Sequence, residues 1–407
     1  GRSVLAAREA ALPQDDQAIA VARGSLGRAL TGLGRIEESE ALLRQGVEGY
    51  PREDTGKARL LYALGEAQSE LGRANDAKAS FRSAALLLVK FQGYKAPDTI
   101  RAAAMSRLEE IRFTATPTLA DFEIPASPML SCPKQFQGET DVDAALVDAA
   151  YIPLSTEQAK CLSAAQSYLD ARVGPDAPLS LQVRERLADA LDRAGDTDAA
   201  EAEAQKLLAG REKINGPDHP ATQRAAVIYG RILGAQGRNE AAGGLLARAK
   251  GMASVEAQLV AARQLDAQGY HRQATPVWES AMAATIKLPQ PSVPMLIDGV
   301  AGYSYNQALL GLCPPQIRPI VEAMAKNSML ASSKVGIAAR EAHAIALACE
   351  GKWQDADPIY SYAHFQAGGG LAFQEQERAL MQARRAIVFS RNPGYLENAS
   401  TQAAEAM

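Results

Sequence analysis

Residues 216–222 read Gly-Pro-Asp-His-Pro-Ala-Thr, GPDHPAT, a turn whose relatives elsewhere in the chain decide the fold. GPDAPLS starts at Gly174 and, more loosely, GYKAPDT at Gly93; each has Pro four residues after its Gly, then Ser or Thr two further. A second mark follows the first: DRAGDTDAAEAE around Gly195 and GAQGRNEAAGGL around Gly237 lie 21 residues after Gly174 and Gly216. Gly174 to Gly216 is 42 residues, and so is Gly195 to Gly237. The unit is therefore two helices of roughly 15 to 18 residues joined by two turns, a repeat length that means a solenoid. Gly supplies the positive φ that ends one helix, and Pro with Ser or Thr is expected to start the next at its N-cap.

Composition supports helices throughout. Of 407 residues, 47% are hydrophobic but only 5% aromatic, so the apolar surface is mostly Ala and Leu, both strong helix formers. Lys plus Arg number 43 against 47 for Asp plus Glu, a net charge of −4, with the signs interspersed. Nothing in that balance attracts a nucleic-acid backbone. No apolar run reaches the length of a membrane span, and the opening GRSVLAAREA carries no signal peptide. It reads as the start of a shortened chain, which leaves a signal or anchor upstream open.

At these turns the chain resembles the tetratricopeptide repeat (TPR) superfamily, in the 42-residue form similar to kinesin light chains and many bacterial proteins. The pattern falls on Tyr229, Gly230, Leu233, Ala242 and Leu246 around Gly237, and on Leu187, Ala188, Leu191, Ala200 and Leu207 around Gly195. It recurs at Leu26, Gly27, Leu30 and Leu43 around Gly34, and at Leu64, Gly65, Ala77, Phe81 and Ala84 around Gly72. Gly269 keeps Ala274, Trp278 and Ala281; Gly351 keeps Leu347, Ala356 and Tyr360; the segment around Gly311 fits poorly. The resemblance implies an all-α, right-handed α-solenoid of seven or eight TPR-like helix pairs. Small residues such as Gly230 and Ala242 stand where paired helices cross closely.

One stretch breaks the period. The beat running forward from Gly93 calls for a turn near Thr114, and the beat running back from Gly174 calls for the same turn near Pro153. The 39 residues between them read as an insertion inside one repeat, between a helix from about Asp98 to Phe113 and a helix from about Ser155 to Arg172. The expected segments are N-terminal repeats 1–113, insertion 114–153, central 42-residue repeats 154–285 and degenerate repeats 286–407. The insertion is Pro-rich at first, then reads as a short helix with Thr140 at its N-cap and Asp143 three residues on. Phe122, Ile124, Met129 and Phe136 give it apolar side chains, which predicts packing on the array rather than free extension.

The four cysteines show no metal-ligand spacing. Cys132 in the insertion and Cys161 on the next helix are near enough to bridge; Cys313 and Cys349 each lie two residues from a repeat turn, at the same end of adjacent repeats. Two bridges point to a periplasmic or extracellular setting, with four free cysteines in a cytoplasmic protein as the alternative. No catalytic group emerges. His343 and Cys349 face different ways around one helix, His219 belongs to the turn motif, and His271 takes the first position of a B helix. The triplet Gly368–Gly370 lacks a P-loop ending, and the acids at 139, 141, 143 and 148 lack calcium-loop spacing. No cofactor or metal is called for. The family's concave-groove positions carry over to Arg59, Tyr62 and Glu66, to Gln182, Glu185 and Asp189, to Arg224, Val227 and Arg231, and to Glu256, Leu259 and Arg263. Arg224, Arg231 and Arg263 there suggest an anchor for a carboxylate or an acidic peptide, since Arg holds planar acids bidentately. The function these readings support is a non-enzymatic scaffold binding a protein or peptide, displayed outside a bacterial cytoplasm. The alternative is the sensory or regulatory part of a larger kinase or transcription regulator.

Overall fold

A computed structural model describes residues 1–106 except 15, 34, 95, 97 and 104; residues 132–133, 135–138, 142 and 145–146; and residues 155–288, 293–326, 334–368, 375–391 and 394–395. Among the described residues the only regular structure is helical. The first five helices are α1 (Arg2–Ala11), α2 (Gln17–Gly32), α3 (Ile36–Glu48), α4 (Thr55–Glu70) and α5 (Ala74–Gln92). Further helical residues at 98–103 and 105–106 precede α6 (Ser155–Arg172). Then come α7 (Pro178–Ala194), α8 (Thr197–Asn215), α9 (Pro220–Ala235), α10 (Asn239–Leu246), α11 (Gly251–Ala267) and α12 (His271–Ile286). The last are α13 (Val293–Leu310), α14 (Ile317–Ala325), α15 (Lys334–Cys349), α16 (Trp353–Gly368) and α17 (Glu375–Phe389). The described residues are all-α and are built as TPR-like helix pairs.

The punctuation works as backbone chemistry. Gly72, Gly93, Gly174, Gly195, Gly216, Gly237, Gly269, Gly311 and Gly351 all take positive φ, and no other described residue does. A side chain at any of them would strain the turn, so glycine sets where each helix stops. The starts differ from the sequence reading. Pro178 and Pro220 open α7 and α9 as their first residues, which puts Ser180 and Thr222 inside the helix rather than at its N-cap. There each hydroxyl reaches back across the turn, Ser180 to the Gly174 carbonyl at 2.8 Å and Thr222 to the Arg211 carbonyl at 3.2 Å. Proline fits the first helical position because the N–H it lacks would have no intrahelical acceptor there. Two B helices are shorter than the period predicts. α10 ends at Leu246 after eight residues, two of them Gly243 and Gly244, which lower helix propensity. α14 has nine residues and follows Pro314 and Pro315.

The described residues form two compact units, one running to Ile232 and including 248–250, the other made of 233–247 and the residues from Gly251 on. In the first unit Leu43, Phe81, Leu169, Leu181 and Leu207 are fully buried, and helix pairs cross at glycines. A Cβ on Gly65 would stand 2.8 Å from the Phe81 ring, and one on Gly27 2.6 Å from Leu43. The insertion contributes to this core where it is described. Val142, Ala145 and Leu146 are buried with Phe81, Met105, Leu162 and Val183, and Phe136 packs 6.0 Å from the Tyr168 ring. Thr140, Asp143, Phe122, Ile124, Met129 and most of 114–153 lie outside the described residues. In the second unit Trp278 is fully buried against Val255, Leu259, Tyr303 and Val321, and Tyr360 and Phe389 pack together near the C-terminus.

Candidate partner-binding face

The A helices of successive pairs present the same face because the repeat returns them in register. Along α7, Glu185 and Asp189 are one turn apart and so share a side; Arg224 and Arg231 do the same two turns apart on α9. The structure joins the two sets. Arg231 donates to Asp189 at 2.8 Å, 42 residues away, which is one repeat, and it also pairs with Asp192. Arg224 Nε lies 3.9 Å from Glu185 Oε1. Arg59 on α4 lies 4.0 Å from Asp98. The second unit repeats the device: Arg263 pairs with Asp298, and Arg384 grips Glu341 with two bonds of 2.7 and 2.8 Å while its guanidinium lies over the Tyr305 ring. A rung of opposite charges thus links A helix to A helix.

This changes the reading of the central arginines. Arg224, Arg231 and Arg263 are not a bare basic patch, because carboxylates of this chain already stand beside each one. An acidic ligand would have to displace Asp189, Glu185 or Asp298. Arg231 and Arg263 remain 31% and 46% exposed, so those exchanges take place at the surface, where an ion pair is worth only about 0 to 1 kcal/mol. Tyr62 is half-buried, edge-on to Phe81 at 5.2 Å, and belongs to the core more than to the face. Glu66, Gln182 and Glu256 are half-buried on their helices; Val227 and Leu259 are buried in the packing.

Deeper on the first unit lies a charge cluster that the groove pattern does not name. Arg211, on B helix α8, is 2% exposed and donates to Glu70, at the end of α4, through two bonds of 2.5 and 3.2 Å. Glu70 is 141 residues away in sequence. Arg211 also lies 4.0 Å from Glu185. The end of α4 is therefore docked on α8 beside the α8–α9 turn. Gly72 completes the contact, since a Cβ there would meet Arg224 Nη1 at 3.1 Å. Inside the GPDHPAT turn, buried His219 accepts the Ala221 N–H on Nδ1 at 3.1 Å, standing in for a cap. Burial lowers the His219 pKa, opposed by the fields of Glu70 and Glu37 and reinforced by Arg224 and Arg211. The sequence did carry a signal for this cluster. Arg211 follows Ala200, Ala204 and Leu207 at helical spacing, and Glu70 follows Ala63 and Ala67, so each is a charge standing on an apolar stripe.

The remaining candidates fall into place as structure. Cys132 is bridged to Cys161 and Cys313 to Cys349, the first in the core packing, the second at an exposed turn. His271 bonds Asp266 at 3.0 Å in a network that also holds Trp278 Nε1 at 2.8 Å and Asn306 at 2.7 Å, pinning α11, α12 and α13 together. Among the described residues no group of three or more His, Cys, Asp or Glu could hold a metal ion, and no helix is long and apolar enough to cross a membrane.

Comparison with known proteins matches the same repeats. A tetratricopeptide repeat model fits residues 19–50 and 180–221, and a second tetratricopeptide repeat model fits residues 58–87. No curated protein matches the chain. Among solved structures, the apo form of the quorum sensor NprR from B. thuringiensis is similar at 10% identity and a TM-score of 0.46, with 90% of this chain and 92% of that one covered. Yeast Tom70 is similar at 12% identity and a TM-score of 0.29, with 94% of this chain and 99% of that one covered. The stretch 180–221 contains α7, α8, Glu185, Asp189 and Arg211, and 58–87 contains Arg59, Tyr62, Glu66 and Glu70, so repeat pattern and charged face coincide. Residues 19–50, 58–87 and 180–221 thus carry tetratricopeptide repeats.

Proposed function

We propose that the chain is a non-enzymatic scaffold that binds a protein or peptide along the A-helix face, in an oxidising compartment outside a bacterial cytoplasm. The observation that carries the binding reading is the half-exposed, oppositely charged pairs found in each unit: Arg59 with Asp98 and Arg231 with Asp189 in the first, Arg263 with Asp298 in the second. Each rung is cheap to open at the surface and offers a ligand both a cation and an anion. The ligand this suits is a polypeptide segment with mixed charge, not the purely acidic one that the arginines alone suggest. The compartment is supported by both cysteine pairs standing bridged, which thiol-reducing conditions would undo.

Photo-cross-linking tests the face. A photoreactive side chain placed at 59 or 231 on the first unit should capture the same partner peptide, while one at Lys206, an exposed position on B helix α8, should not. Capture only at Lys206 would refute the face. Thiol titration of denatured, unreduced protein tests the bridges and should count near zero; four thiols in protein from an oxidising compartment would refute the localisation.

A further inference from the structure

Arg184 and Arg211 are both buried on the first unit, and they find their acids in different ways. Arg184 holds Asp170 at 2.8 Å and Glu203 at 2.5 Å, both on neighbouring helices and within 19 residues. Arg211 has one local acid, Glu185, at 4.0 Å; its close partner, Glu70, comes from a turn two pairs earlier in the chain. Without Glu70 the cluster would keep two guanidiniums, Arg211 and Arg224, for one carboxylate, Glu185. Even with Glu70 seated, Arg211 Nε and Arg224 Nε and Nη1 are buried with no hydrogen-bond partner. Left to itself, the α7–α9 face is a receptor for an anion. The occupant's shape is also specified: a glutamate followed two residues later by a glycine, Glu70 and Gly72, because any side chain at Gly72 would press on Arg224.

We propose that the α4–α5 turn is a built-in occupant of a carboxylate-receiving subsite formed by Arg211, Arg224 and Glu185, and that a partner segment bearing Glu-x-Gly displaces it. The proposal rests on the scaffold reading and adds a second, self-blocked position to its face. Displacement exchanges one carboxylate for another, so the charge inside the cluster is conserved and no buried guanidinium is stranded. Affinity is limited by the fraction of molecules in which the turn is unseated. If the turn is seated nine-tenths of the time, freeing it raises affinity about tenfold.

The test uses the full chain and a fluorescein-labelled copy of its own turn, the peptide EAQSELGRAND (residues 66–76), with a control peptide carrying Gln in place of the central Glu. Glu70→Gln keeps volume and an acceptor oxygen but removes the competing charge; Gly72→Ala pushes the turn off Arg224 while leaving every charge in place. Both variants should bind the peptide about tenfold or more tightly than the unchanged chain, with helix content preserved, and neither should bind the control. Excess peptide should also speed amide exchange at residues 70–74 of the unchanged chain, a readout that needs no variant. Equal peptide affinity for the unchanged chain and both variants, or exchange at 70–74 that ignores the peptide, overturns the proposal. Cross-linking at 59 and 231 reads the scaffold itself, so its success beside a failed peptide assay would discard the subsite alone.

Discussion

Two turns that open on a glycine of positive φ, Gly216–Thr222 in the first unit and Gly311–Ile317 in the second, are secured by opposite means. The first follows α8, which buries Ala200, Ala204, Leu207 and Leu208, and the turn is then clamped by the buried pair Arg211 and Glu70. The second leads into α14, whose nine residues bury only Ile317 and Val321. At about 1.5 to 3 kcal/mol for each buried aliphatic side chain, α14 contributes little of its own, and Cys313–Cys349 with the Arg318–Glu350 ion pair holds it to α15. Where a helix carries enough apolar surface to seal a turn, a charge pair can close it; where it does not, a covalent staple takes over.

The comparison breaks first at Arg211. Arg211→Ala strands the Glu70 carboxylate in a buried site and should cost about 3 to 5 kcal/mol in urea unfolding of the first unit. A replacement of both partners by apolar residues, Arg211→Met with Glu70→Leu, should recover most of that loss. A cost below about 1 kcal/mol for Arg211→Ala would mean that water reaches the junction and that the two turns do not differ in kind. Next in size is the staple. Cys313→Ser with Cys349→Ser should cost about 2 to 4 kcal/mol, confined to transitions of the second unit. Under mild reductant Cys313 and Cys349 should be alkylated before Cys132 and Cys161, because Cys313 is exposed while Cys161 is buried in the core. Simultaneous alkylation of both pairs would erase the distinction.

The two turns also mark how far the sequence could be read. The 42-residue spacing of turn glycines was legible because positive φ leaves few alternatives to glycine, and α6 begins at Ser155 as the interrupted beat requires. The cysteine pairing could be read from the same periodicity, since Gly311 and Gly351 place two thiols at one end of adjacent repeats. The groove positions were legible as places but not as chemistry. Arg231 and Asp189 look like separate surface charges until the repeat brings them to 2.8 Å. Least legible was the docking of Glu70 on Arg211, because no local period relates residues 141 apart. What sequence offers there is only a charge on an apolar stripe, which says that a partner exists and not where it comes from.

Smaller than either clamp is the close approach of helices on which both units depend. Gly65 faces Phe81, and Gly302 faces Trp278 with a would-be Cβ 2.2 Å from the indole. Gly65→Leu should overpack the α4–α5 crossing and cost about 1 to 3 kcal/mol, read as a lower urea midpoint without loss of helix signal. Gly302→Ala probes a close approach between successive pairs, α12 and α13, in the second unit. If it is tolerated while Gly65→Leu is not, Trp278 can shift and the second unit is the more plastic of the two.

The finest distinction between the turns is protonation. His219 sits inside the first turn and faces Glu37, Glu70, Arg211 and Arg224; His343 lies on α15 in the second unit and faces Glu322, Lys326, Arg318 and Glu350. Burial lowers both imidazoles below the ordinary 6.5, so each is neutral in the fold at a pH where the unfolded chain has begun to bind a proton. The unfolded state then holds more protons, which makes stability rise with pH; the contribution is complete above about 6.5 and is lost as pH falls below it. For one group the slope cannot exceed about 1.4 kcal/mol per pH unit. His219→Asn retains an acceptor for the Ala221 N–H and removes the titration, so its urea midpoint should fall less between pH 6.5 and 5 than that of the unchanged chain. The carboxylates beside each histidine oppose the shift, and displacing Glu70 from the first turn removes one of them. Adding the Glu70→Gln change should therefore lower the His219 pKa further, measured by NMR titration of the imidazole, while leaving His343 where it was. A His219 titration indifferent to Glu70 would place that carboxylate outside the histidine's field and weaken the case that the end of α4 is docked beside the first turn.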